Sequence, residues 1–436
     1  MQKFSRSALA MTLLATVASA QIRLPPLPLQ LPPSPLQSTA QNLDPIDARS
    51  LQRLSAVRHL EINRLVRGNR RLLDLDANGE PIIRNEILAL SPGETPAARA
   101  RSLNFVVARE HSIESMNIHL VVLRAPDSMS TKQALRLIRE SDPDGIYDYN
   151  HLYMGSGTWP GDAGPIAWNA PLPAPAAAGS QVSGLRVGLL DTGVDTAHPA
   201  FHESTVHTWG CENKRVPAAH GTAVASLLIG HAQGFRGVQP DAALYAADVY
   251  CGQPTGGAVD ALVAAIGWMV QEQVPVINIS LVGAKNSLLE QAITRAIARG
   301  SIIVAAVGND GPAAPPLYPA SYPNVVGVTA VDAHGHVLIE AARGPQVMFA
   351  SPGADLAAAS GAHGYAAMRG TSFAAPIVAG LLAAAITTPS PADANAAIET
   401  LIHTARHIGS PGRDLTYGYG LVGAEYRNDP TPLLHK

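Results

Sequence analysis

Four short segments of this chain carry side chains able to break an acyl bond. Asp191 heads Asp191-Thr192-Gly193-Val194 after the apolar run Leu185–Leu190, and His220 opens His220-Gly221-Thr222-Ala223-Val224-Ala225. Asn309 lies in Val307-Gly308-Asn309-Asp310-Gly311, and Ser372 in Gly370-Thr371-Ser372-Phe373-Ala374-Ala375-Pro376. A hydroxyl becomes a nucleophile when an imidazole takes its proton, a carboxylate orients the imidazole, and amide donors hold the developing oxyanion.

Each segment alone has an ordinary alternative. Asp191 sits where α/β proteins build sites, at the carboxyl end of a strand, but Asp-Thr-Gly also presents the carboxylate of an aspartic peptidase. That chemistry needs a pair of carboxylates; with one such tripeptide in the chain, it would require a homodimer. His220 is one of 15 histidines and read singly is a surface cap. Ser372 read singly caps the helix of Ile377–Leu382, and Asn309 belongs to a common Asn-Gly turn. The conjunction in the order Asp, His, Asn, Ser is what favours catalysis over four unrelated structural roles.

The Asp, His and Ser segments resemble the three signature blocks of the subtilisin-like serine peptidases. The resemblance runs from about Leu185 to Val422 and includes Tyr417-Gly418-Tyr419-Gly420-Leu421-Val422. It implies Ser372 as nucleophile, His220 as general base and then acid, and Asp191 as the group that stabilises the imidazolium. Asn309 and the Ser372 amide would hold the oxyanion, with the Thr371 hydroxyl assisting Asn309. The implied activity is a secreted serine endopeptidase made as a self-processing precursor, working through an acyl-enzyme without a cofactor. No metal site is asserted, because the turn Gly230–Gly237 lacks the Asn-rich loop with which many relatives ligate calcium.

Ser280-Leu281-Val282, within Asn278–Gly283, resembles the edge on which that family lays an extended peptide through main-chain bonds. Val282 stands where glycine is common, and Ala320 where glycine is frequent, while Gly308 is kept. The added volume narrows the pocket for the residue before the scissile bond, so small or medium residues are expected there.

These residues need a scaffold, and the apolar pattern supplies one. Leu185–Leu190, Ala242–Val249, Val274–Ile279, Ser301–Ala306 and Val325–Val331 are near-continuous apolar strands separated by Ala-rich helices. That predicts an α/β domain, a parallel sheet flanked by helices, over 181–436. Upstream, 41–155 reads as a smaller α/β sandwich that the resemblance makes a propeptide: a helix over Asp44–Arg70, strand Ile82–Leu90, helix Thr95–Val107, strand Ile118–Leu123, a helix capped by Ser130 or Thr131, and a strand Ile146–Tyr153. Its last strand would enter the active site, with self-cleavage near Met154–Thr158.

Residues 1–20 have the form of a secretory signal, with Lys3 and Arg6 before an apolar run too short to span a bilayer. Residues 21–40 are a Pro-rich linker and 156–180 a second linker. The chain has 436 residues, 47% of them hydrophobic, and a net charge of -3, which gives no footprint for nucleic acid. Expected partners are protein or peptide substrates and the chain's own propeptide as intramolecular inhibitor, with no nucleic acid, no stable membrane insertion and a monomeric state. Cys211 and Cys251, the only cysteines, are expected to form a disulfide in an oxidising compartment rather than stay as free thiols, and without a nearby His pair they make a poor zinc site. Asp74-Leu75-Asp76-Ala77-Asn78-Gly79 begins like an EF-hand loop, but Asn85 replaces the bidentate Glu and Pro81 interrupts it, so it reads as an acidic turn.

Overall fold

The computed structural model describes residues 48–91, 95–155, 184–253, 256–361 and 363–434, all within the unit Asp47–Lys436. The signal 1–20 and the linkers 21–40 and 156–180 lie outside the described residues.

The N-terminal part runs α1 (Ala48–Gly68), β1 (Leu73–Leu75), β2 (Pro81–Ser91), α2 (Thr95–Ser102), β3 (Val106–Ile113), β4 (Ile118–Arg124), α3 (Thr131–Ser141) and β5 (Ile146–Gly155). Its antiparallel sheet has the order β5-β2-β4-β3, with β1 also paired to β2. The helix expected to reach Val107 stops at Ser102: Asn104 turns into the left-handed region (φ 63). β-Branched Val106 and Val107 then continue as the extended chain their side chains favour. The resulting strand β3 escapes the sequence pattern because Arg109-Glu110-His111-Ser112 breaks its apolar alternation. Helix α3 starts on a capping box, in which the Ser130 hydroxyl accepts from the Gln133 amide and the Gln133 side chain accepts from the Ser130 amide.

Side chains alternate across a strand, so each strand feeds two faces. Ile87, Ala89, Val121 and Leu123 pack with Phe105, Ala134, Leu135 and Ile138 beneath the segment's own helices. Leu88, Leu90, Leu120 and Val122 point the opposite way, into a core shared with the C-terminal part.

The C-terminal part contains β6 (Arg186–Asp191), β7 (Val206–Trp209), α4 (Ala219–Ile229), the hairpin β8 (His231–Ala232) and β9 (Phe235–Arg236), β10 (Ala243–Asp248), β11 (Gly257–Ala258), α5 (Val259–Gln271), β12 (Val276–Ile279) and β13 (Leu281–Val282). It continues with α6 (Ser287–Ala298), β14 (Ile302–Ala306), β15 (Val326–Val331), β16 (Val347–Pro352), the hairpin β17 (Ala354–Ser360) and β18 (Gly364–Arg369), α7 (Thr371–Ala383), α8 (Pro391–Thr404) and α9 (Thr431–Leu434). Among the described residues the central sheet is parallel throughout, in the order β16-β15-β14-β12-β6-β10-β7. Its inner strands are buried on both faces: Leu189, Val304 and Val326 pack with α4 and α7, and Leu190, Ile277 and Ile303 with α5 and α6.

The N-terminal sheet seats on α5 and α6 through Leu88, Leu90, Leu120 and Val122 against residues such as Leu262, Ile266, Leu289 and Ile293. Polar groups at its rim meet the orphan amides of the two helix starts. Asn150 Oδ1 accepts from Asp260 N at 3.4 Å, and Asp148 Oδ2 from Ser287 N at 2.8 Å. Arg109 bridges Glu86 and Asp260 at 2.7 and 2.8 Å. His151 joins Asp76, at 3.3 Å from Nε2, to the Asn286 side chain, 3.0 Å from Nδ1. The Asp74–Asn78 turn uses its central carboxylate internally, Asp76 Oδ1 accepting from the Asn78 and Glu80 amides at 2.8 Å. No helix among the described residues is long and apolar enough to cross a membrane.

Candidate active site

Asp191 ends β6 fully buried. Its Oδ1 accepts from the Thr192 amide at 2.7 Å and lies 2.7 Å from His220 Nδ1. A proton on Nδ1, donated to this carboxylate, fixes the tautomer in which Nε2 is the basic nitrogen. His220 is the second residue of α4, and the Gly221 amide donates to Thr192 Oγ1 at 2.8 Å. A side chain at Gly221 would strike the Thr192 carbonyl, 2.2 Å from its Cβ, so glycine is what lets α4 approach the Asp191 loop.

Ser372 is the second residue of α7, and Pro376 follows four positions later. Proline has no N–H to give the Ser372 carbonyl. That carbonyl instead accepts from Ser280 Oγ at 2.9 Å, and Ser280 Oγ in turn accepts from Asn278 Nδ2 at 2.9 Å. The Ser372 hydroxyl donates to the Ser280 carbonyl at 3.1 Å. The nucleophile candidate and the start of the peptide-binding edge are thus stitched together in both directions. The His220 ring stands 5.7 Å from that of Phe373, the residue after Ser372.

Asn309 follows β14, and its Oδ1 accepts from the Thr371 amide at 3.1 Å, which leaves Nδ2 as the donating end of the side chain. The Thr371 hydroxyl accepts from Gly308 N at 3.2 Å, while the Thr371 amide holds the Asn309 side chain. Asp310, next in sequence, lies 3.3 Å from Arg58 Nε of α1. Burial raises its carboxyl above the usual range, and the Arg58 charge works against that rise.

The groove is occupied by the end of β5, which pairs antiparallel with β11 on one side (Gly257↔Tyr153) and with β13 on the other (Leu281↔Gly155, Val282↔Met154). A Cβ at Gly155 would lie 3.2 Å from His220 Nε2, so the β5 backbone rests against the imidazole. Tyr153 is fully buried, its hydroxyl donating to the Ala284 carbonyl. Its ring fills the space a side chain on Gly283 would need. This strand is expected from the sequence to enter the active site; the burial of the Tyr153 ring against Gly283 is not singled out there.

Gly283 and Tyr318 exchange main-chain bonds at 2.9 and 3.0 Å, which sets Leu317–Ala320 beside the β13 edge. Ala320 and Val282 are buried. Leu317, not singled out from the sequence, presses on Gly308, its Cδ1 2.6 Å from where a Cβ of Gly308 would be. Gly308 has φ 100 and could be replaced by no other residue without strain. Leu317 therefore takes volume beside Gly308, the residue before Asn309. Cys211 and Cys251 form a disulfide.

The Subtilase family profile matches residues 182–420, more than half of the chain. The chain belongs to the subtilase family. It is 34% identical over 249 residues to subtilisin BL of Lederbergia lenta, a match covering 56% of this chain and 90% of that protein. It is 28% identical over 253 residues to the minor extracellular protease Epr of Bacillus subtilis, covering 56% of this chain and 38% of that one. The structure resembles that of fervidolysin from Fervidobacterium pennivorans, a keratinolytic enzyme related to subtilisin, with a TM-score of 0.64 at 22% identity; the match covers 81% of this chain and 62% of that one and shows the shared fold. As a subtilase the protein is a subtilisin-like serine endopeptidase, its parallel sheet flanked by helices and preceded by an N-terminal α/β region.

Proposed function

We propose that this subtilase is made as an exported, self-processing precursor and works through an acyl-enzyme on Ser372. In this reading the Ser372 hydroxyl turns from the Ser280 carbonyl to His220 Nε2, gives up its proton and attacks the substrate carbonyl. The oxygen of that carbonyl takes the negative charge between Asn309 Nδ2 and the Ser372 amide at the start of α7. His220, steadied by Asp191, returns the proton to the departing amine; water then enters by the reverse route and frees the acid. No cofactor takes part.

The observation that carries the precursor reading is the strand in the groove: β5 pairs on both sides as a substrate would, and Gly155 abuts the His220 ring. Residues 41–155 then serve as propeptide and inhibitor, and 181–436 as the peptidase domain, which keeps the linker before it after processing and acts as a monomer on extended protein or peptide chains. The last described pair, Gly155↔Leu281, lies one residue from Ser280, whose carbonyl neighbours the Ser372 hydroxyl; residues 156–158 lie outside the described residues. We therefore assign the processed bond to the peptide following Ser156. A serine at that point agrees with a pocket narrowed by Val282, Ala320 and Leu317 and with preference for small or medium residues. Export, as reasoned from residues 1–20, agrees with the extracellular name of one matched relative.

N-terminal sequencing of the wild-type protein and of Ser372→Ala tests the proposal. The expected result is a new terminus at Gly157 in the wild type and an uncut junction in the variant. Identical processing in both would reject an intramolecular cut.

A further inference from the structure

We propose that the Tyr250 hydroxyl is a substrate-binding group that holds the main-chain carbonyl of the fourth residue before the cleaved bond. The inference rests on the assignment of β5 as a product-like occupant with Ser156 at the cleavage point, which makes Tyr153 that fourth residue. Tyr250 Oη donates to the Tyr153 carbonyl at 3.1 Å. The same carbonyl lies 2.8 Å from where a Cβ of Gly256 would stand, so it is approached from one side by a bare backbone and from another by a phenol. A bond to a carbonyl is indifferent to the identity of the residue bound, which suits an enzyme that accepts varied chains.

The donor is held in place. Strand β10 ends at Asp248, whose Oδ1 accepts from the amides of Tyr250 and Cys251 at 2.9 and 2.8 Å. Cys251 is bonded to Cys211, just past β7. A carboxylate and a disulfide therefore fix the turn that bears Tyr250, and little freedom is lost when a peptide arrives. The Asp248 chain position is the register partner of Asp191 on β6, so the turn is anchored to the strand that presents the candidate catalytic carboxylate. Neither the turn nor the phenol is required for proton transfer.

The discriminating experiment uses the processed enzyme and two fluorogenic amides, acetyl-Tyr-Met-Gly-Ser and acetyl-Gly-Ser, with Tyr250→Phe, which keeps the ring and removes the hydroxyl. The longer substrate places a carbonyl at the Tyr153 position, and the shorter does not reach it. Loss of one hydrogen bond should raise KM for the longer substrate about three- to tenfold, leave kcat in place, and leave both constants for the shorter unchanged. A thioamide at the Tyr carbonyl, a weaker acceptor, should weaken binding to the wild type and make no difference to the variant. Equal effects on both substrates, or none on the longer one, would overturn the proposal. Covalent labelling by a fluorophosphonate separates it from the reading beneath: if the wild type neither labels nor cleaves the short amide, the acyl-enzyme assignment fails first and this proposal falls with it.

Discussion

The two faces of the N-terminal sheet differ in what completes them. Ile87, Ala89, Val121 and Leu123 are covered by helices of the same segment, whereas Leu88, Leu90, Leu120 and Val122 are covered by α5 and α6 of the peptidase part. The core around α4 and α7 depends on no residue of the N-terminal sheet. The peptidase part thus has cores of its own and lends its other helix face to the segment. The segment is half-finished without that loan, and separation would return a strip of leucine and valine to water, at roughly 25 cal/mol for each Å² exposed. The asymmetry suits the proposed propeptide role, in which this part folds against the enzyme and later leaves it.

Asn309→Ala gives the largest separation of the two roles. Turnover should fall about 100- to 1,000-fold with KM little changed, while affinity of the processed enzyme for added segment 48–155 stays as it was. Steady-state kinetics alongside inhibition by that segment measures both, and unchanged turnover would remove Asn309 from the oxyanion site. Next in size, Leu228→Ala and Leu120→Ala should each weaken what their own cluster supports by at least about 2 kcal/mol. Leu228→Ala lowers the denaturation midpoint of the mature enzyme, and Leu120→Ala lowers segment affinity about 30-fold without touching that midpoint. A shift of the mature midpoint by Leu120→Ala is impossible if processing removes the segment, so seeing one would refute the assigned cut.

A smaller effect concerns the pocket. Leu317→Gly should improve kcat/KM for phenylalanine before the scissile bond about tenfold or more relative to alanine, since each methylene in such a pocket counts for about 1–3 kcal/mol. An unaltered ratio in a peptide-library digest would mean that Leu317 does not bound the pocket.

The smallest effect is a pH dependence at the segment. Burial alone would raise the Asp76 carboxyl, but its bonds from His151 and from the Glu80 and Asn78 amides outweigh that and hold it below the usual aspartate range. A depressed carboxyl contributes stability that is present above its unfolded value and is lost as pH falls through its folded value. Asp76→Asn in the Ser372→Ala precursor should therefore lower thermal stability at neutral pH, and the gap should close only in strong acid. A gap independent of pH would show that Asp76 acts by shape rather than charge.

The catalytic strands were legible because burial on both faces writes an unbroken apolar run, and the site candidates because glycine and small residues surround each of them. What escaped was set by partners far away in the chain. Strand β3 carries Arg109, which spends its charge on Glu86 and on Asp260 of α5, so its polar pattern makes sense only once α5 is beside it. Leu317 carries no local signal, because its importance comes from pressing on Gly308. The helix that should have reached Val107 ended instead where Asn104 turned left-handed, a choice a short polar side chain tolerates.

Pro376 has a mechanical consequence. By withholding one amide it frees the Ser372 carbonyl for Ser280, so the seam between helix and groove edge is closed by side chains at a place where an ordinary helix would have turned inward on itself. The proposed nucleophile and the proposed peptide-binding edge then share a single frame of reference. Neither can be displaced from the other without breaking the bonds that join them.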